Sequence, residues 1–432
     1  MSTYLTQENE FEFAEEMQKQ TVDTMDFPTL LAMLSLVAIG LISIYSAEPQ
    51  TQLHKFFFKQ LTYALLGVPL LVTFIFLPQH WLRALIPMAY ISSLVLLLMI
   101  FIPGVGMRIN GQLCWINIGG IQFQPSEFAK LSTLLMIGRF LETKGVRLTA
   151  LRDVLWLAGI VLLPMILILG EKDTGTASVF IAMFAGVMLW CGGDLFFLFV
   201  FSVLPLVGIA GMYAVLHDAR LVMYAAVLVS SVAIFMFRRS IVLSVLGVLL
   251  VGAIGFSSGP LYNKLPEHQQ SRIKTYFDPE KYPKDEGYHV LQSMMAVGSG
   301  GVTGKGFMKG TLTQLRYIPE QWTDFIFAVP GEEFGFVGSC LVLGLLVFLI
   351  FRLVRLARTS RNEFESSFTF GLAAVLFYHT TINIGMAIGL VPVMGIPLPY
   401  LSSGGTALLA NMAAIGIIIG FHRARTKRAL QY

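Results

Sequence analysis

Apolar runs long enough to cross the ~30 Å hydrocarbon layer as helices of about 20 residues recur along the chain. They fall near 27–47, 58–77, 81–102, 125–141, 153–170, 174–191, 195–216, 220–237 and 240–257, and again near 334–352, 368–390 and 404–421. The pattern predicts an all-α polytopic membrane protein of about 12 transmembrane helices, 125–141 being the shortest. Between the ninth and tenth runs, about 258–333 is too polar to cross and is expected to form one large loop. The rest divides into a tail at 1–26, a first helical block at 27–257, a last block of three helices at 334–421 and a tail at 422–432.

Composition agrees with this pattern. At 55% hydrophobic and 13% charged residues, with a mean hydropathy of +0.71, the chain has too little polar surface for a soluble globule. The net charge of +4 is modest, and the basic residues sit beside apolar runs, so a nucleic-acid partner has no footprint. The three cysteines, Cys114, Cys191 and Cys340, are far apart and form no CxxC spacing, which excludes the usual zinc and redox motifs. The acidic N-terminal stretch (Glu8, Glu10, Glu15, Glu16, Asp23, Asp26) lacks the basic start of a cleaved signal peptide and reads as a retained cytoplasmic tail.

Charge also sets orientation. Arg83, Arg139, Lys144, Arg147, Arg152, Arg238, Arg239, Arg352, Arg355, Arg358, Arg361, Arg423, Arg425, Lys427 and Arg428 all fall on one side of the predicted spans. The positive-inside rule makes that side cytoplasmic. Both termini are then inside and the 258–333 loop is extracytoplasmic.

Several stretches go against a lipid environment. Residues 111–124 are apolar but broken by glycines, and fit either an external loop or a re-entrant, interfacial segment lining a cavity. Trp115 within it suits an interface anchor or a surface on which substrate stacks. Pro125 suits the first turn of a helix, with Glu127 near its positive end and Lys130 on the same face. That pair is either neutralised cargo in a packed helix or the lining of a functional cavity. Asp173, followed by Thr-Gly, reads as a helix cap.

In the long loop, glycines at 298, 300, 301, 304 and 306 surround Lys305, but GxxxxGK[ST] fails at Ser299 and Gly306. Glu320, Asp324, Glu332 and Glu333 lie among Trp322, Phe325, Ile326 and Phe327. Such a carboxylate is a helix cap or a partly desolvated proton acceptor. Further on, Asn383 interrupts an apolar span, and Gly389 to Gly405 carries Pro392, Pro397 and Pro399. Broken helix at membrane depth is tolerated where backbone is buried or lines a cavity.

These blocks together resemble the SEDS family of bacterial cell-envelope proteins (shape, elongation, division and sporulation), its RodA branch more than its FtsW branch. The resemblance rests on Trp115-Ile-x-x-Gly with Gln124-Pro-Ser-Glu-Phe-Ala-Lys130, Asp173-x-Gly-Thr, Gly287-Tyr-His-x-x-Gln292-Ser, Gly304-Lys-Gly, Pro319-Glu-x-x-Thr-Asp324-Phe-Ile-Phe-Ala, Gly331-Glu-Glu-x-Gly-Phe and Gly395-Ile-Pro-Leu-Pro-x-x-Ser-x-Gly-Gly405. They span most of the chain in family order. Cys114 stands where the family has Arg, Ser403 where it has Tyr, Lys172 where it has Pro, and Pro330 where an apolar residue is usual. Two spans exceed the family's ten, with 195–257 the natural place for them.

The resemblance implies a peptidoglycan glycosyltransferase that polymerises lipid II, the undecaprenyl-diphosphate-linked disaccharide pentapeptide, during cell-wall elongation and shape maintenance. It implies Asp324 as the general base, and substrate contacts at Trp115, Glu127, Lys130, Arg272, Gln292, Lys305, Arg316, Glu320, Thr323 and Ser402. Lys130, Arg272, Lys305 and Arg316 are the candidates for holding the leaving diphosphate. No cofactor is assigned, although a divalent cation (Mg or Mn) held by the carboxylates would serve the same purpose. The implied partners are lipid II, the growing glycan strand and a class B penicillin-binding protein, in the bacterial cytoplasmic (inner) membrane. Two other classes fit parts of the pattern. A lipid II flippase would use Glu127 and Lys130 to line its path, and a scaffold would use the cationic loops.

Overall fold

The computed structural model describes residues 25–48, 54–109, 112–118, 121–143, 146–237, 240–265, 270–271, 273–274, 277, 286–360 and 362–429. Its helices are α1 Phe27–Ala47, α2 Lys55–Phe76, α3 Gln79–Met99, α4 Pro125–Leu141, α5 Leu151–Gly170, α6 Thr174–Trp190, α7 Leu195–Leu216, α8 Arg220–Met236 and α9 Ile241–Lys264. After the polar stretch come α10 Glu286–Ser299, α11 Thr311–Gln314, α12 Ala328–Glu333, α13 Gly335–Thr359, α14 Glu363–Ala387 and α15 Gly405–Ala429.

Twelve of these helices occupy the twelve apolar runs. Among the described residues, nine are long and apolar enough to cross a membrane, and the 17-residue α6 and α8 are shorter apolar helices. The twelfth, α4, is a less apolar 17-residue helix with Pro125 in its first turn and Glu127 near its N-terminus. Capping sets several starts: Asp173 accepts the Thr176 N–H at 3.0 Å, Asp194 that of Phe196 at 2.9 Å, and Ser240 that of Leu243 at 3.2 Å.

Helices α4, α14 and α15 form the centre, with α2 against α15, α3 and α5 against α4, α6 against α14, and α1 against α13. Small residues permit the closest approaches. A Cβ on Gly416 of α15 would lie 2.7 Å from Leu71 O of α2, and one on Gly186 of α6 would lie 2.4 Å from Ala374 Cβ of α14. Helices α7, α8 and α9 pack mainly on one another, and α7 joins them to α6. The region 195–257, where the two extra spans were expected, is occupied by this three-helix unit beside the central bundle.

The 111–124 stretch, expected as a loop or re-entrant segment, is largely strand. Strands β1 Gly106–Ile109, β2 Gln112–Ile118 and β3 Ile121–Phe123 form an antiparallel sheet in the order β1-β2-β3. Met107 faces Trp115, with a register shift before Arg108, and Ile116 faces Phe123. Pairing satisfies the backbone of a segment too broken by glycine to stay helical. The polar stretch at 258–333 is likewise compact where described, with α10 and α12 packed together. Helix α9 runs past 257 to Lys264, so its last two turns lie within the residues assigned to the loop.

Candidate active site

The site is built around the break between α14 and α15, residues 388–404. Gly389 and Gly395 take φ of +76° and +68°, and Tyr400 takes +65°, which lets the chain fold back beneath the Trp322–Asp324 turn. Ser403 N–H donates to Trp322 O at 2.8 Å. Ser402 Oγ donates to Thr323 O at 2.6 Å and accepts the Leu398 N–H at 2.8 Å. Trp322 stacks on Phe56 of α2 with ring centroids 4.6 Å apart. The turn starts at Glu320, whose φ is +50° and whose carbonyl accepts the N–H groups of Thr323 and Asp324 at 3.1 and 3.2 Å.

Asp324 is half-buried and held from below. Asn383 of α14 donates through Nδ2 to Asp324 O at 2.9 Å and to Ile396 O at 2.8 Å. A Cβ on Gly395 would come within 3.6 Å of Asp324 Oδ2, so the carboxylate reaches over this loop. On the loop's other side, a Cβ on Gly175 of α6 would lie 2.1 Å from Met394 O. Only a glycine at 175 lets the loop sit that close to α6.

One helical turn before Asn383, His379 meets the same loop through Nδ1, 3.0 Å from Pro397 O. Its Nε2 lies 3.4 Å from Lys130 Nζ, and Lys130 pairs with Glu127 at 2.8 Å. Glu127, Lys130 and His379 are all buried. At the mouth of α5 and α6, Gln124 Nε2 donates to Asp173 Oδ2 at 3.4 Å. Burial raises the pKa of Asp173, against the opposing Thr176 hydrogen bonds. Glu171 is fully buried, and neither carboxylate oxygen has a partner among the described residues. Burial, then the nearby Asp173 charge, pushes it up to about 9. Cys114 is buried beside these acids, where the family pattern would put a guanidinium. Burial and both acids raise its pKa and keep it a thiol.

The sequence-derived site residues therefore separate into groups. Glu127, Lys130, Thr323, Asp324 and Ser402 converge on the 388–404 break. Glu320 shapes the turn: its Oε2 accepts from Thr323 Oγ1 at 3.4 Å, and its side chain is exposed. Ser402 acts through backbone groups, as a tether of the turn. Among the described residues, no hydrogen bond or ion pair joins Trp115, Gln292 or Arg316 to this network. Trp115 lies half-buried on β2, Gln292 half-buried on α10 beside Ser293, and Arg316 exposed with φ +57°. Arg272 lies outside the described residues.

Lys305 belongs to a separate cluster. It pairs with Glu332 at 2.6 Å and donates to Thr311 Oγ1 at 2.7 Å. Glu332 also accepts the N–H groups of Leu312 and Thr313, both at 2.9 Å. Its burial would raise its pKa, but the bonds from Lys305, Leu312 and Thr313 together lower it. This cluster ties the glycine loop to the start of α11. Glu333 is raised by burial, and Ser46 and Gln314 donate to it.

Among the described residues, no group of three His, Cys, Asp or Glu side chains could hold a metal ion, and Glu332 is already filled by Lys305 and two amides.

The sequence did not reveal His379 as a site residue, and it marked Asn383 only as an oddity in an apolar span. The available signal was their spacing, i and i+4 on one helix face, together with the cost of polar groups within a span.

A family model described as a cell cycle protein, and covering FtsW, RodA and SpoVE, matches residues 25–229 and 219–427. The chain belongs to that family. It is 29% identical over 432 residues to the peptidoglycan glycosyltransferase RodA of Treponema pallidum (strain Nichols), covering 94% of this chain and 99% of that protein. It is 31% identical over 401 residues to the peptidoglycan glycosyltransferase MrdB of Escherichia coli (strain K12), covering 93% and 94%. Among solved structures, a chain of a peptidoglycan synthase complex that coordinates polymerization and crosslinking superposes with a TM-score of 0.68 at 28% identity, covering 93% of this chain and 98% of that one. The rod shape determining protein RodA of Thermus thermophilus superposes with a TM-score of 0.59 at 25% identity, covering 93% and 97%. This FtsW/RodA/SpoVE-family chain is thus a polytopic all-α membrane protein, and the Asp324 turn and the 388–404 break both lie within the residues the family model matches.

Proposed function

We propose that this protein is a peptidoglycan glycosyltransferase that polymerises lipid II into glycan strands during elongation and shape maintenance. The observation that carries the reading is the attachment of the Asp324 turn to the 388–404 break. The Asn383, Ser402 and Ser403 bonds to the backbone of residues 322–324 hold the turn at a site served by the buried Lys130. A carboxylate fixed by its own backbone is positioned for proton transfer without reorganisation.

In this reaction Asp324 takes the proton from the 4-hydroxyl of the acceptor GlcNAc as that oxygen bonds to the anomeric carbon of the MurNAc in the growing chain. The anomeric C–O bond breaks on the opposite face, its electron pair leaves with undecaprenyl diphosphate, and the centre inverts. The Lys130 charge, next to the break, favours the departing diphosphate.

The same reading assigns a class B penicillin-binding protein as the transpeptidase partner and the bacterial inner membrane as the location, with both termini cytoplasmic. The arginine distribution supports that orientation, as does the pairing of Arg352 with Asp26 at one end of the bundle. The test is polymerisation of purified lipid II with the cognate penicillin-binding protein present and moenomycin added to silence polymerases of the other class. Long strands are expected from the native protein, and Asp324→Asn should lower the rate at least ~10²-fold, as loss of a general base does. An Asp324→Asn protein that polymerises at the native rate would refute the base, and lipid II crossing sealed proteoliposomes without strand formation would favour a flippase.

A further inference from the structure

Two side chains one turn apart on α14 grip two consecutive carbonyls of the break. Asn383 takes Ile396 O at 2.8 Å and His379 takes Pro397 O at 3.0 Å. Each then reaches a different functional group. Asn383 continues to the backbone of Asp324 at 2.9 Å, and His379 continues to Lys130 at 3.4 Å. The partners are far apart in sequence and are brought together by this helix.

The proton positions follow from the donors available. Pro397 O can only accept, so Nδ1 carries the hydrogen that bonds it, and Nε2 of a neutral ring then has a lone pair for the Lys130 ammonium. With Glu127 Oε1 at 2.8 Å, Lys130 has an acidic partner and an imidazole partner, and both are buried. A lysine on a flexible four-carbon stem has no directional preference of its own, so its neighbours decide where the charge sits.

We infer that His379 is a positioning residue that fixes the Lys130 ammonium in register with the Asp324 turn, using the loop at 395–397 as the shared ruler. His379 itself touches neither the reacting atoms nor the base. It acts through Lys130, as Asn383 acts through the Asp324 backbone. Removing it leaves the Glu127–Lys130 pair intact but lets the ammonium drift from the place where the diphosphate charge develops. A misplacement of ~1 Å at such a point costs ~10²-fold in rate. The inference rests on the glycosyltransferase reading and adds to it a residue and a role.

The test compares native protein, Asp324→Asn, His379→Leu and His379→Gln in the lipid II assay, with melting temperatures measured on the same preparations. His379→Leu keeps bulk and removes both bonds, whereas His379→Gln retains one donor and one acceptor. The expected result is a fall in kcat of ~10–10²-fold for His379→Leu with KM for lipid II within about twofold, as for an interaction made in the transition state. His379→Gln should recover most of that loss, and adding His379→Leu to Lys130→Met should lower the residual rate little further.

Native kcat in His379→Leu overturns the inference, as does a loss that follows the melting temperature and is not recovered by Gln. A native protein that makes no strands removes the glycosyltransferase reading itself and the inference with it. That outcome is distinguished by the native arm alone.

Discussion

At the scale of single residues, the candidate site separates side chains that act from side chains that hold. Asn383 is fully buried and its Nδ2 serves two carbonyls. Asn383→Leu would leave both without that donor, costing on the order of 1–3 kcal/mol, and would free the Asp324 turn. Turnover should fall more than the stability loss alone would cause, which parallel melting and polymerisation measurements would show. Glu171 offers a test that does not depend on activity. Its folded pKa is raised from 4.5 to about 9, so between those values the folded state binds a proton that the unfolded state has released. Stability therefore declines as pH rises across that window and levels off above it. Glu171→Gln should remove this decline, melting higher than the native protein at pH 8 and no higher at pH 4. Glu332 has the opposite sign. Its pKa is lowered, so its contribution is present above the ordinary carboxylate range and is lost on acidification.

At the scale of elements, the break between α14 and α15 is placed by close approaches that only glycine allows. Gly175→Ala would bring a Cβ to 2.1 Å from Met394 O, and backbone on both sides must then shift. Gly159→Ala on α5, where nothing lies within 4 Å, is the control and should leave activity unchanged. We expect Gly175→Ala to lower polymerisation ~10-fold or more while both variants retain their helical circular dichroism; equal activity would mean that the loop tolerates displacement from α6. The twelve helices themselves were legible because each is a sustained apolar run, and the N-terminus of α4 because Pro125 and Glu127 mark it. The sheet at 106–123 was not. Leu113-Cys114-Trp115-Ile116 is nearly all apolar and hides the two-residue alternation by which a half-buried strand is recognised. The site was legible in part for a similar reason. Sequence marks Glu127 with Lys130 because they share a helix face, but His379 meets Lys130 across 249 positions, and no local period reports which helix faces meet.

At the scale of the whole molecule, charge and polar chemistry occupy opposite ends of the bundle. Arg83 pairs with Glu142 at 2.9 Å and lies over Phe364, Arg352 pairs with Asp26, and Arg425 donates to Thr359 O. One end is therefore stitched by arginines from α3, α13 and α15, while the Asp324 turn and the sheet are held toward the opposite end of the bundle. If that arginine end faces the cytoplasm, a membrane-impermeant thiol reagent added to intact cells should label a cysteine placed at the exposed Ser299 and spare one placed at the exposed Arg355. Permeabilisation should expose both, and a background without Cys114, Cys191 and Cys340 removes the native thiols. The reverse labelling would put the Asp324 turn on the cytoplasmic side. A polymerase acting there would have to make its strands inside the cell, so the same result would also count against the proposed reaction. Orientation and chemistry thus stand or fall together, because the Asp324 carboxylate, held by α14 at one end of the bundle, can serve only the compartment which that end faces.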